Sequence, residues 1–281
     1  MSVTSSDLVF YASAHMPEDN VSVTGGPVDF TTLIDFSDMA STGTLNYVSS
    51  SSTDTGSAFQ VSMFGRDSSG GYGYEDIPLN GTTPVAGGFQ WARLLRANTT
   101  AGGGTPTGDV AAMAAAATVT GTAQTAVATP ASLTLAAGQG NAALVGKVLR
   151  LTGGTGAYQV RQIIAVSGDT VTVNRPWDTL PDATSTYTIA TGMLFPKSPN
   201  QVRNVRRPFY RAAADVAGGA TRIFYEKIFV VNNNTATTLT EAAVDKIADP
   251  AAGTLDFMLS YQANDTVSLP NRFTVPEVGV G

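Results

Sequence analysis

Acid–base or metal chemistry in this chain would have to run through a single imidazole. His15, in Ala12-Ser13-Ala14-His15-Met16-Pro17, is the only histidine, and there is no cysteine. A Ser-His-Asp triad or a His- or thiolate-based zinc site needs partners that the chain lacks, unless His15 works alone. His15 therefore reads as a turn residue near the N-terminus. Carboxylates come close together as Glu18-Asp19, Glu75-Asp76 and Asp35 with Asp38. Two acids from distant strands can cleave a glycosidic bond, but nothing in the spacing singles out one pair. Scattered surface acids are the simpler reading.

Two glycine clusters imitate phosphate-binding loops. Gly138-Gln139-Gly140-Asn141-Ala142-Ala143 matches G-x-G-x-x-A in form. That fingerprint works only where a strand leads in and a helix N-terminus opens beneath the phosphates. Here Lys147-Val148-Leu149-Arg150-Leu151-Thr152 follows as a strand pattern, so the match is a chance product of a Gly/Ala-rich segment. Gly153-Gly154-Thr155-Gly156 lacks the Lys-Ser/Thr pair of a P-loop and reads as a turn.

Binding chemistry has better candidates. Arg203, Arg206, Arg207 and Arg211 form a local basic run. It can grip an acidic neighbour, or stand solvated with its aliphatic stems on Phe209 and Tyr210. Trp91, Trp177, Tyr72, Tyr74 and Tyr158 can stack on sugars, but a tryptophan in a β-sandwich commonly anchors the core. Tyr72 and Tyr74 are two apart and share one strand face. Beside a glycine-rich turn, they are candidates for an exposed partner contact.

The elements that must position these residues are strands. Val28-Asp29-Phe30 onward, Leu45-Asn46-Tyr47-Val48, Phe59-Gln60-Val61-Ser62-Met63-Phe64 and Phe89-Gln90-Trp91-Ala92-Arg93-Leu94-Leu95 place apolar residues near period two. Gly25-Gly26-Pro27, Asp67-Ser68-Ser69-Gly70-Gly71 and Asn80-Gly81 punctuate them. The 67–71 cluster predicts a hairpin tip. Residues 146–189 repeat the habit, with short β-branched runs between Gly, Ser-Gly-Asp and Pro-Asp turns. Between them, 98–142 is almost entirely Ala, Gly, Thr and Ser. Asp109 can cap a short helix over 111–117, but the composition favours a semi-ordered connection.

The expected fold class is all-β: two or three β-sandwich or small barrel-like modules, Gly/Ala/Thr-rich connections and little helix. Residues 1–109 read as an N-terminal sandwich with an extended arm. Residues 110–191 read as a connection plus an inserted β module at 144–189. Residues 192–281 read as a linker plus a small immunoglobulin-like sandwich, carried by strands at 222–231 and 254–261. A chain of 281 residues suits this count.

Bulk properties narrow the function. The net charge of −6 and a pI near 4.7 argue against a nucleic-acid partner held by phosphate neutralisation. No segment has the length and apolarity of a membrane span, and the first residues lack the basic and apolar regions of a signal peptide. Only 14% of residues are charged, below the usual quarter. That is common in β-rich secreted or virion proteins.

Residues 146–189, opening Gly146-Lys147-Val148-Leu149-Arg150-Leu151-Thr152-Gly153-Gly154-Thr155-Gly156-Ala157-Tyr158 and closing Pro176-Trp177-Asp178-Thr179-Leu180-Pro181-Asp182, resemble modules of tailed-bacteriophage virion structural proteins. Residues 222–233, and 65–71 leading to 79–85, are similar to segments of related head-associated proteins. The resemblance implies a non-enzymatic head decoration (cement) protein with no cofactor and no catalytic residues to carry over. Its partners would be the major capsid protein and itself, as a dimer or trimer, with neither nucleic acid nor membrane. It would be made in the host bacterial cytoplasm and reside on the capsid surface, bridging capsid subunits against internal pressure. A tail-associated receptor- or glycan-binding protein, or a tail-tube or baseplate subunit, is the alternative.

Overall fold

The computed structural model describes residues 3, 7–14, 27–35, 43–124, 129–197, 201–208 and 226–238. The chain divides into two compact units, 1–29 with 208–281, and 30–207. It is all-β, and no α-helix occurs among the described residues. In chain order the strands begin with β1 (Leu8–Ser13), β2 (Val28–Ile34), β3 (Leu45–Ser49), β4 (Thr55–Arg66), β5 (Tyr72–Asn80) and β6 (Val85–Ala86). Next come β7 (Arg93–Asn98), β8 (Val110–Ala114), β9 (Val119–Thr122), β10 (Ser132–Thr134), β11 (Val148–Gly153) and β12 (Val160–Ser167). The last are β13 (Thr170–Val173), β14 (Thr186–Ala190), β15 (Gly192–Phe195), β16 (Asn204–Arg206) and β17 (Ile228–Asn232).

In the first unit, β1 and β17 pair antiparallel, Leu8 opposite Asn232 and Ala12 opposite Ile228. The expected strand at 254–261 and His15 lie outside the described residues, as does most of the expected C-terminal sandwich.

The larger unit contains three sheets. Five strands run in the order β2-β16-β7-β4-β5, four in the order β15-β8-β3-β6, and six in the order β10-β13-β12-β11-β14-β9. The first two sandwich a core of Leu45, Tyr47, Val61, Met63, Leu94, Trp91 and Phe195. The six-stranded sheet has its own core, built on Leu133, Leu149, Leu151, Ile163, Trp177 and Tyr187. Both tryptophans are thus core anchors, each contributing a large apolar area. A two-residue turn at Gly168-Asp169 links β12 to β13, with Ser167 opposite Thr170 and Gly168 at φ 55°, the geometry that hairpin loops favour.

A third apolar layer joins the sheets. Val48, Ala111, Met113 and Leu194 of the four-stranded sheet meet Val148, Val160 and Ala190 of the six-stranded one. This layer explains a correction. The alanine-rich run after Asp109 is a strand, neither a helix over 111–117 nor a loose connection. In β8, Val110 and Ala112 enter the sandwich core while Ala111 and Met113 face the third layer. A strand buried on both faces reads as a continuous apolar run, and small side chains let neighbouring sheets approach closely on each side. The six-stranded sheet also starts upstream of residue 144, at β9 and β10.

Candidate functional site

The β4–β5 hairpin presents the exposed tyrosines, and its local sequence sets its register. Asp67 Oδ1 accepts the amides of Ser69 at 2.9 Å and Gly71 at 2.8 Å, and the Ser69 hydroxyl at 2.6 Å. These bonds, the Ser69 hydroxyl foremost, hold the Asp67 carboxyl below the usual carboxylate range. Gly70 takes φ 84° at the tip, a conformation open to glycine at little cost. Arg66 Nη1 donates to Gly70 O at 2.6 Å. Arg66 then lies opposite Tyr72, Phe64 opposite Tyr74, and Ser62 opposite Asp76.

With a side-chain period of two, these six residues share one face. Tyr74 is 62% exposed and Tyr72 43%. The Phe64 and Tyr74 rings stack at 5.9 Å, with 20° between their planes. On the other flank Arg96, opposite Phe64 on β7, holds its guanidinium 5.6 Å from the Phe64 ring centre. A row Arg96–Phe64–Tyr74 therefore crosses three strands. Phe64 and Arg96 were not singled out from the sequence, although the hairpin tip alone places Phe64 opposite Tyr74.

The reverse face braces this surface. Glu75 Oε1 accepts from the Tyr47 hydroxyl at 2.6 Å and Trp91 Nε1 at 3.1 Å. Its Oε2 accepts the amides of Gly88 at 2.9 Å and Phe89 at 3.1 Å. Burial, reinforced by the Glu75 carboxylate, pushes the Tyr47 phenol above its ordinary pKa. Glu75 thus ties the 87–91 loop to the hairpin. Asp76 points the opposite way and accepts from Ser62 Oγ. The adjacent acids lie on opposite faces of the strand, which rules them out as a cooperating pair.

The basic run divides. Arg203 is exposed, whereas Arg206 and Arg207 are only 2% and 4% exposed. β16 is an interior strand, parallel to β2 and antiparallel to β7. From its end Arg207 Nε donates to Leu94 O at 3.0 Å, and its guanidinium lies 3.8 Å from the Asp35 carboxylate. Arg206 and Arg207 are therefore interior residues, neither solvated nor available as a surface grip. Arg211, Phe209, Tyr210, Glu18, Asp19 and Asp38 lie outside the described residues.

The imitation phosphate loops are occupied from within. The amides of Gly138 and Gly140 donate to the two Asp169 oxygens at 2.9 and 2.7 Å, and this holds the Asp169 carboxyl below its ordinary pKa. Thr155 N donates to Thr184 Oγ1 at 3.2 Å, and Thr155 Oγ1 to Asp182 at 2.7 Å. Among the described residues no cluster of three or more His, Asp or Glu side chains could hold a metal ion, and no helix is long and apolar enough to cross a membrane.

What the hairpin face offers is a flat aromatic row next to guanidinium groups, suited to stacking and to carboxylate contact. Set against known proteins, the chain matches no protein-family model, no curated protein and no solved structure.

Proposed function

We propose that the chain is a structural protein of a tailed-bacteriophage virion, acting as a head decoration protein that bridges neighbouring major capsid subunits. The observation that carries this reading is the Arg96–Phe64–Tyr74 row with Tyr72, exposed on a hairpin braced from behind by Glu75. Aromatic and arginine side chains dominate protein–protein hot spots, and a rigid platform loses little entropy on docking. Self-association as a dimer or trimer follows the symmetry of capsid sites.

The test is co-sedimentation of the purified chain with expanded capsids lacking it, together with the heat resistance of the decorated particles. Binding and a raised disruption temperature support the reading; free chain in the supernatant overturns it. The exposed Tyr72 and Tyr74 rings also favour a second reading, a tail-associated glycan binder, for which a glycan array is the direct assay.

A further inference from the structure

One partly buried guanidinium of the larger unit, that of Arg150, has no counter-charge among the described residues. Arg150 lies mid-strand on β11, opposite Thr188 of β14. It shares the face of Val148, which belongs to the layer between the six- and four-stranded sheets. Arg161 and Arg175 each meet Asp109 and Asp178, and Arg207 meets Asp35. Arg150 forms no ion pair with any described residue. Its Nη2 donates to Thr82 O at 2.6 Å, while its Nε is buried without an acceptor. Burial pushes this guanidinium below its ordinary pKa. A guanidinium nitrogen withdrawn from water without an acceptor is costly.

The surroundings form a receptacle. A cleft of about 270 Å³ opens beside Arg150, walled by Val48, Met113, Ala114 and Pro84, with Asn46 and Thr188 as its polar side chains. No acid lines it. Its volume falls just below the range typical of drug-sized ligands, which suits one small acid or one side chain. Tyr158 lies next to the same guanidinium, its ring centre 5.8 Å away. It is the one non-glycine residue described at positive φ, 72°, a conformation that costs roughly 1–2 kcal/mol. Such strain persists only where the surroundings impose it.

We infer that this cleft binds an aliphatic carboxylate, the anion bonding to the Arg150 guanidinium and the alkyl part lying along Pro84 and Ala114 beside Met113. A planar carboxylate matches the guanidinium fork, and the exposed Pro84, Ala115 and Ala117 of the lining give an alkyl chain a contact that phosphate cannot make. The carboxylate can belong to a free small acid or to an acidic side chain of a docked protein. The inference is independent of the virion reading.

The test uses the full chain with ¹³C-methyl-labelled methionine, followed by NMR. Sodium butyrate, butyramide, N-acetylglutamate amide and inorganic phosphate are titrated separately. Saturable shifts of the Met113 methyl are expected with the two carboxylates and not with butyramide or phosphate. Tighter binding of N-acetylglutamate amide assigns the site to a docked side chain; tighter binding of butyrate assigns it to a free acid. Arg150→Gln should weaken the carboxylates about ten- to a hundredfold with an unchanged far-UV circular dichroism spectrum, and Arg150→Lys should weaken them less. Equal shifts from butyrate and butyramide, phosphate binding as tightly as butyrate, or no response to either carboxylate would overturn the inference. The ligand comparison needs no variant, so it stands even if Arg150→Gln does not fold.

Discussion

Arg161 Nη1 donates to Asp109 Oδ2 at 3.1 Å with both side chains withdrawn from water, and it joins residues 52 positions apart. Arg175 bonds the same carboxylate oxygen, and Asp109 Oδ1 accepts the Lys197 amide at 2.9 Å. Asp178 completes the group by accepting from both arginines at 3.2 and 3.1 Å. The Arg161 guanidinium also lies 5.1 Å from the Trp177 ring centre. This network fastens β12 and the 174–178 loop to the start of β8 and the chain just beyond β15.

Removing one charge from that group strands the others. Asp109→Asn is expected to cost about 3–5 kcal/mol, the range for breaking a buried ion pair by one partner. Arg175→Met should cost less, because Arg161 continues to satisfy Asp109. Urea denaturation of the two variants beside the parent checks the order. Equal losses would show that Arg161 does not hold the carboxylate by itself.

A second buried carboxylate sets an acid limit on stability. Burial alone would raise the pKa of Asp54, but bonds from Ser49 Oγ, the Thr107 and Gly108 amides and Thr107 Oγ1 outweigh it and hold the carboxyl below its ordinary value. A carboxyl whose pKa falls on folding contributes fully above its unfolded value, about 3.9. That contribution disappears as the pH falls through the lower folded value. Asp54→Asn, which turns an amide nitrogen toward these donors, should cost about 1–3 kcal/mol at neutral pH. Its stability deficit should then shrink in acid, as followed by denaturation from pH 7 to pH 2.

The two glycines that mimic a nucleotide fingerprint should respond differently to alanine. At Gly138, φ is 78° and a methyl meets open space, so the cost is the strain of the left-handed conformation, about 1 kcal/mol. At Gly140 a methyl strikes the Gly168 carbonyl and the Asp169 backbone in the β12–β13 turn. Relief there requires moving backbone, so Gly140→Ala should cost about 2 kcal/mol or more. Thermal unfolding separates them; a smaller loss for Gly140→Ala would contradict the packing described at this turn.

Double substitution of Tyr72 and Tyr74 by alanine removes exposed rings and should change stability by less than about 1 kcal/mol. Under the proposed decoration role, the same variant should lose co-sedimentation with capsids. Glu75→Gln should instead lower stability by about 1–3 kcal/mol, since it disturbs a carboxylate that accepts from four donors. Retained capsid binding by the tyrosine variant would remove this face from the contact.

The hairpin tip at 67–71, the strand habit of the chain and the turn after β12 were legible in the sequence, because each rests on bonds and dihedrals among residues only a few positions apart. The outward placement of Tyr72 and Tyr74 follows from that same tip. Other features were decided by tertiary structure. The alanines of β8 carry intrinsic helix preference, and only the sheets packed on both of its faces make them a strand. Arg206 and Arg207 read as part of a surface basic run, gripping an acidic partner or solvated, until β2 and β7 enclose β16. Asp109, which the sequence places in a semi-ordered connection or at the cap of a short helix, meets Arg161 through a chain path of 52 residues, a pairing that no local pattern encodes. Local sequence determined where the chain turns and which residues alternate; what each face meets depended on long-range packing, because burial is a property of the neighbours that arrive.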